Sequence, residues 1–216
     1  EQREPGGAGH RFLARMQPSL EAQLCNLADE IAYNAHDIDD GVRSGLISIA
    51  QLSEVALFRR FRDDALAAHP ALAQAPSRRL LFATIRRMLS QQVYDVTDTT
   101  RANLAAWAVA DVDQVRSAPP LVAFSAAMRE ASDALKRFLF GALYRHRQVQ
   151  DTTERARRVV QQLFAAYRSA PREMPADFAA AADAPRAVAD YIAGMTDRFA
   201  IREHQRLTGA PAFEMP

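Results

Sequence analysis

The sequence has little of what small secreted proteins and charge-driven nucleic-acid binders depend on. It contains one cysteine, Cys25, which excludes an internal disulfide, suits a reducing compartment and is expected in the core. Its formal net charge is +1, and Lys136 is the only lysine, so no global field draws the chain to nucleic acid or to a membrane. No apolar run reaches the roughly 18 to 20 residues that span a bilayer. We therefore expect a cytoplasmic protein without a membrane segment.

Motifs of several enzyme classes are also missing. There is no Gly-x-Ser-x-Gly elbow for a nucleophilic serine, and Cys25 has no histidine at an obvious helical partner position. The stretch PGGAG lacks the lysine of a phosphate-binding Walker loop. No zinc pattern closes, because His10, His69 and His204 are each expected at the surface. These absences set aside nucleophilic hydrolases, P-loop NTPases and structural zinc proteins.

What the sequence does contain is helical periodicity along most of its length. Strand signals are nearly absent, which predicts an all-α fold. A chain of 216 residues, 49% of them hydrophobic, is long enough for one buried core. We predict a single helical domain of about seven helices. It is expected over residues 17–210, after a flexible lead at residues 1–16 and before a tail at residues 211–216.

Capping residues and helix breakers place the ends of these helices. The first helix is expected from an N-cap at Ser19 to about Asp40, where Gly41 and Gly45 are stop signals. The second helix is expected over residues 51–68, and the next two begin at the caps Ser77 and Ser125. The last helices are expected over residues 151–168 and over residues 181–207, the latter with an interruption near Gly194.

The stretch ADEIAYNAHDIDDG, residues 28–41, carries an acidic stripe with a tyrosine in it. Asp29, Tyr33 and Asp37 fall at roughly 0°, 40° and 80° around a helix, opposite the apolar residues. An acidic helix face is most often solvated surface. A carboxylate, a phenol and a second carboxylate on successive turns can also hold a hard cation and a hydroxylated ring. The spacing leaves both interpretations open.

A second stretch, LKRFLFGALYRHRQ at residues 135–148, is basic. Lys136, Tyr144 and Arg147 lie within about 80° of one another if the helix continues through Gly141. Such a group can bind phosphate, but it also suits a solvated helix end whose cations favour the C-terminal dipole. An acidic and a basic stripe together fit a metal-assisted reaction of a phosphate ester. The doublet His36–Asp37 is rejected as a metal-binding pair because the further histidines that such a pair needs are missing.

Three blocks of the chain resemble one family in the correct order. They are PSLEAQLCNLADEIAYNAHDIDDGVRSGLI, LKRFLFGALYRHRQV and VADYIAGMTDRFAIREHQRL. From about residue 17 to residue 208 the sequence resembles the C-terminal part of deoxyguanosinetriphosphate triphosphohydrolase-like proteins, a branch of the HD-domain metallohydrolases. The resemblance implies the C-terminal part of an HD-domain dNTPase-like fold.

The resemblance implies roles for individual residues. Asp29 matches the last aspartate ligand of the family's metal, and Tyr33 and Asp37 match positions that pack against the deoxyribose and bind its 3′-hydroxyl. The resemblance places three further residues on the sugar and phosphate side of the nucleotide pocket: Tyr144, His146 and Arg147. Lys136 is at a position where members of the family have a cation that binds phosphate. For Tyr191 and Asp197 in VADYIAGMTD, packing is the expected role.

The reaction that the resemblance implies is hydrolysis of a dNTP, with dGTP favoured, to a deoxynucleoside and inorganic triphosphate. A divalent metal, Mg²⁺ or Mn²⁺, and a homo-oligomer are expected with it. Nothing before Asp29 supplies the family's first histidine or its histidine–aspartate doublet, so the metal site is incomplete and we expect this chain, as part of a longer protein, to be inactive alone.

Two other functions stay open. One is a noncatalytic module of the same family, used for oligomerisation or nucleotide sensing. The other is a nucleic-acid binder that uses the arginines of RRMLSQQ and RARRVVQQ. The near-neutral net charge and interleaved acidic residues argue against nucleic acid as a partner.

Overall fold

The computed structural model describes residues 9–74 and 77–211, and within these ranges the chain is helical and has no strand. The all-α prediction is confirmed. Seven helices of the described residues have seven or more residues, in agreement with the expected number. The helices form two compact units, Glu1–Tyr144 and Arg145–Pro216. The predicted lead and tail stay predictions, because residues 1–8 and 212–216 lie outside the described ranges.

The first unit contains seven α-helices among its described residues. They are α1 (His10–Leu13), α2 (Leu20–Arg43), α3 (Ile49–Leu52), α4 (Ala56–Ala68), α5 (Ser77–Trp107), α6 (Val112–Ser117) and α7 (Ala126–Leu139), with a 3₁₀ turn at Pro70–Ala73 and a π-helical turn at Phe140–Tyr144.

The core of the first unit is built from the apolar faces of α2, α4, α5 and α7. Leu81, Ile85, Met88 and Val96 of α5 are buried at the spacing of one helix face. They belong to the same core cluster as Ile38 of α2, Phe58 of α4 and Leu135 of α7, each fully buried. This packing holds α2 and α7 in place and so positions the acidic stripe.

Helix α2 begins after Ser19, as expected, but it continues past Asp40 to Arg43. Gly41 is not a stop signal. It is buried inside the helix, where an added Cβ would lie 2.7 Å from Ile47 Cδ1, so close packing explains this glycine. Gly45 has a φ of +75°, a backbone conformation that glycine adopts without strain, and it follows the helix end.

The helix expected over residues 51–68 is two helices. Helix α3 begins earlier, with a reciprocal capping box between Ser48 and Gln51, and ends at Leu52. Helix α4 starts at Ala56 after an extended Val55. The cap at Ser125 is confirmed, because its side chain accepts a hydrogen bond from the Met128 N–H. Ser77, expected as a cap, is the first residue of α5.

The second unit consists of α8 (Arg147–Ser169), α9 (Ala176–Ala179), α10 (Ala184–Ala193) and α11 (Asp197–Thr208), with a 3₁₀ turn at Pro171–Glu173. Helix α8 starts four residues before the expected position 151, because His146 serves as its N-cap. The interruption near Gly194 is confirmed: Gly194 caps the end of α10. Leu163, Tyr167 and Val188 are fully buried in the core of this unit.

Two residues differ from their expected burial. Cys25 is exposed, because it lies about 140° around α2 from the centre of the apolar face, on the side of the acidic stripe. His204 was expected at the surface and is buried, with Nε2 2.5 Å from Gln162 Oε1. His204 is buried because it lies on the inner face of α11, although its neighbours in the sequence are charged.

Within residues 9–74 and 77–211 no helix combines the length and the apolarity that crossing a bilayer requires.

Candidate functional site

The acidic stripe of α2 lies on the helix face opposite the core. Asp29 is exposed, Tyr33 is 56% exposed and Asp37 is half-buried, whereas Leu27 and Ile31 on the other side are buried. The helical periodicity of residues 28–41 therefore predicted the facing of these side chains correctly. Exposure of Asp29 and Tyr33 leaves both groups accessible to a ligand.

A residue from the far end of the first unit reaches this stripe. The π-helical turn follows α7 directly and ends at Tyr144, whose hydroxyl donates a hydrogen bond to Asp37 Oδ2 at 2.7 Å. The Phe140 ring stacks on Tyr144 with 6.4 Å between ring centroids. We call Tyr33, Asp37 and Tyr144 the sugar-site cluster, after the role that the family resemblance implies for them. It brings together three of the residues that the sequence singled out.

The protonation of the sugar-site cluster reflects this contact. Burial raises the pKa of Asp37 above its ordinary value of 3.8, and the hydrogen bond from Tyr144 opposes that rise. Burial also raises the pKa of Tyr144, and the neighbouring Tyr33 and Asp37 add to the rise. Tyr144 therefore remains a neutral hydrogen-bond donor at neutral pH, and Asp37 is its acceptor.

Lys136 forms an ion pair with Glu30, a residue that the sequence analysis did not single out. Its Nζ lies 2.9 Å from Glu30 Oε2, and Arg129 Nη1 donates to the other oxygen, Glu30 Oε1, at 2.7 Å. Ser132 adds a longer contact at 3.4 Å. The signal was present in the sequence: Arg129, Ser132 and Lys136 recur on one face of α7, which indicates a shared partner. The Glu30 side chain is only 17% exposed, so its charge is balanced within the protein.

His146 and Arg147 belong to the second unit and have local contacts there. The Gln148 N–H donates to His146 Nδ1 at 3.3 Å, which makes His146 the N-cap of α8. Arg147 is exposed, and its Nε lies 3.8 Å from Asp151 Oδ2. Contacts in the first unit join Tyr33, Asp37 and Tyr144, and the contacts of His146 and Arg147 are those of a helix start.

The residues around Asp29 do not form a metal site by themselves. Within the described part of the chain there is no group of three or more His, Cys, Asp or Glu side chains that could hold a metal ion. Hard divalent cations take six or more oxygen ligands, several of them from protein. Asp29 supplies one carboxylate, which is too few to fix a catalytic metal.

Comparison with known proteins points to one family. A protein of Bordetella pertussis named deoxyguanosinetriphosphate triphosphohydrolase-like protein is 52% identical over 207 residues, which are 95% of this chain and 53% of the relative. The chain belongs to this family of deoxyguanosinetriphosphate triphosphohydrolase-like proteins. Members with the same name from Ralstonia nicotianae and Geobacter sulfurreducens are 51% and 45% identical, each over 94% of this chain and 52% and 53% of their own length. The chain thus spans about half the length of the curated relatives it matches.

Residues 122–206 also match the family described as a phosphohydrolase-associated domain. That match contains Lys136, Tyr144, His146 and Arg147, and it begins well after the end of α2 at Arg43. The likeness to the triphosphohydrolase-like proteins extends over almost the whole chain and so includes the acidic stripe as well. A phosphohydrolase family is the function class that both comparisons support.

Proposed function

We propose that this chain is the C-terminal part of a metal-dependent dNTP triphosphohydrolase. In this proposal it contributes one metal ligand, Asp29, and the part of the nucleotide site that faces the sugar. The enzyme hydrolyses a dNTP, with dGTP favoured, to a deoxynucleoside and inorganic triphosphate. A cytoplasmic location and a homo-oligomer of the whole protein belong to the same proposal.

The observation that carries the proposal is the sugar-site cluster. The Asp37 carboxylate accepts hydrogen bonds and has one oxygen, Oδ2, held by Tyr144, which leaves Oδ1 for a sugar hydroxyl. The exposed ring of Tyr33 offers an apolar surface one turn away on the same face of α2. A ring that carries a hydroxyl group fits this pair, and a deoxyribose 3′-hydroxyl is such a group.

The phosphate side depends on Lys136. An ammonium group has three donors, and one of them is directed to Glu30. Two donors remain for phosphate oxygens, and 44% of the Lys136 side chain is exposed to receive them. Glu30 then holds the cation in place and Lys136 supplies the charge. Tripolyphosphate leaving the sugar gains negative charge, which a fixed cation stabilises.

The metal requires more than this chain contains. Under the proposal, Mg²⁺ or Mn²⁺ takes Asp29 as one ligand and its other protein ligands come from the remaining half of the enzyme. We therefore expect the 216-residue chain to be inactive alone. Asp29 is exposed, as a ligand completed by another part of the protein would be in this chain.

The experiment uses the whole enzyme and measures triphosphate released from dGTP in Mg²⁺ or Mn²⁺. Asp29→Ala should abolish turnover and lower the amount of bound metal. Asp37→Ala should retain metal and chiefly raise the KM and weaken discrimination between deoxyribo- and ribonucleotides. Asp98→Ala removes an exposed carboxylate of α5 and is the matched control.

Two outcomes would count against the proposal. Retained metal and turnover in Asp29→Ala would refute the ligand assignment. No triphosphate from the intact wild-type enzyme, with all metal ligands verified, would favour a noncatalytic module of the same family.

A further inference from the structure

The first unit contains a cleft that shares no residue with the sugar-site cluster. It lies between α4 and α5 and has a volume of about 1080 Å³. Arg60 and Asp64 of α4 face Phe82, Arg86 and Arg87 of α5 across it. Ligand sites in proteins commonly have volumes of roughly 300 to 1,000 Å³, so this cleft can accept a small molecule of nucleotide size.

The charge that lines the cleft is unbalanced. Three guanidinium groups, those of Arg60, Arg86 and Arg87, face one carboxylate, Asp64. In the described part of the chain none of these three arginines forms an ion pair. Arg62, two residues before Asp64 on the same helix, differs: its Nη2 lies 2.8 Å from Asp63 Oδ1. Arg60, Arg86 and Arg87 therefore give the cleft an excess of positive charge.

An aromatic ring is exposed beside these cations. Phe82 is 44% exposed and lines the cleft one turn before Arg86. The Arg78 guanidinium lies 5.3 Å from the centroid of the Phe82 ring. Phe61 of α4 also lines the cleft; its ring is buried, and the Arg60 guanidinium lies 5.2 Å from the ring centroid. An exposed phenylalanine next to unpaired arginines is a surface on which a planar base can stack while its phosphates are bound.

We propose that this cleft is a nucleotide-binding site. The guanidinium groups of Arg60 and Arg86, one on each side, bind the phosphates as bidentate donors. Phe82 packs against the base. The site uses no residue of the sugar-site cluster, and the proposal does not depend on hydrolysis by the whole enzyme. Inorganic oligophosphate and a single strand of nucleic acid share the phosphate chemistry, and the experiment separates them from a nucleotide.

The test is isothermal titration of the 216-residue chain with three probes in the presence of EDTA: dGTP, inorganic triphosphate and a single-stranded deoxyoligonucleotide. We expect dGTP to bind. The variant Arg60→Ala/Arg86→Ala should lower the dGTP affinity, by about tenfold for each charge-assisted contact removed. Both side chains are exposed, so the variant is expected to fold, which circular dichroism checks. Arg60→Lys/Arg86→Lys keeps the charge without the fork and should bind with intermediate affinity.

Further variants test which part of the ligand is recognised and whether it binds in the cleft. Phe82→Leu should weaken binding of dGTP and leave that of triphosphate unchanged, because only the nucleotide has a base. Arg155→Ala/Arg158→Ala removes two exposed arginines of α8 and is the matched charge control. Asp37→Ala should leave dGTP binding to the cleft unchanged.

Three results would overturn the inference. The first is no dGTP binding, and the second is dGTP binding that the Arg60 and Arg86 variants leave intact. The third is binding of the oligonucleotide that dGTP does not displace, which would assign the cleft to a nucleic-acid strand.

Discussion

The hydroxyl of Tyr144 and the carboxylate of Asp37 are 2.7 Å apart although 107 positions separate them in the chain. The contact joins the end of the π-helical turn to the acidic stripe of α2. Glu30, about two turns earlier in α2, joins this helix to α7 through Arg129 and Lys136. Helix α2 is therefore tied at two points, once to α7 and once to the turn that follows α7.

The first prediction concerns the proton on Asp37. Tyr144→Phe removes a hydrogen bond that favours the carboxylate, while the burial that raises the pKa of Asp37 remains. The pKa of Asp37 should therefore rise further in the variant. Carboxyl carbon chemical shifts followed by NMR through an acid titration measure it. Tyr94→Phe, at an exposed tyrosine of α5, is the control, and a lower or unchanged pKa in Tyr144→Phe would contradict the assigned contact.

The second prediction concerns stability and acid pH. Because burial raises the pKa of Asp37 in the folded state, the folded state keeps this proton at pH values where the unfolded state has lost it. The contribution of Asp37 to the free energy of unfolding should fall as pH rises from the ordinary pKa of 3.8 through the raised pKa. Asp37→Asn removes this titration. As pH rises through that window, urea unfolding should show the variant becoming more stable relative to wild type. If the variant instead became less stable relative to wild type, the pKa of Asp37 would not be raised in the folded state.

The third prediction concerns alkaline pH and the second unit. Burial and the hydrogen bond to Glu203, 2.7 Å long, raise the pKa of Tyr167 above 10.0. The unfolded state then ionises first, so the free energy of unfolding should fall as pH rises above about 10. Tyr167→Phe should show a smaller fall than wild type in urea unfolding, and Tyr94→Phe should match wild type. An equal fall in Tyr167→Phe would remove this tyrosine from the explanation.

The fourth prediction concerns Glu30. Glu30→Gln leaves two half-exposed cations of α7 without their carboxylate and should lower the free energy of unfolding by about 1 to 3 kcal/mol. Glu154→Gln breaks a more exposed pair with Arg157 and should cost less than about 0.5 kcal/mol. Urea unfolding of both variants makes the comparison. Equal losses at the two sites would mean that the Glu30 contacts stabilise no more than an exposed pair does.

How much the sequence predicts depends on the range of the interaction. The facing of Asp29, Tyr33 and Asp37 follows from helical periodicity, a local property, and the structure agrees. The cap at Ser125 is local in the same way. The errors arise where tertiary packing decides: a buried Gly41 keeps α2 helical past its expected end, because Ile47 packs against it.

Helical periodicity alone does not predict contacts between residues that are far apart in the sequence. Nothing in the spacing of α2 indicates that Tyr144 bonds to Asp37, and only the family resemblance placed both at one site. Glu30 was overlooked because it lies about 100° around the helix from Asp29, outside the stripe, where α7 packs. The condition that the helix continues through Gly141 is met only in a wider form, since α7 ends at Leu139 and a π-helical turn follows it directly.

Because of that π-helical turn, the number of residues between Leu139 and Tyr144 determines where Tyr144 lies in the sugar-site cluster. A π-helical turn closes its hydrogen bonds over five residues instead of four, so it accommodates one residue more than an α-helix would over the same distance. If residues 140–144 continued as an α-helix instead, the tyrosine would be displaced by one residue's rotation, about 100° around the axis. Its hydroxyl would then point away from α2, and Asp37 would lose its donor although every side chain of the sugar-site cluster was still in the protein.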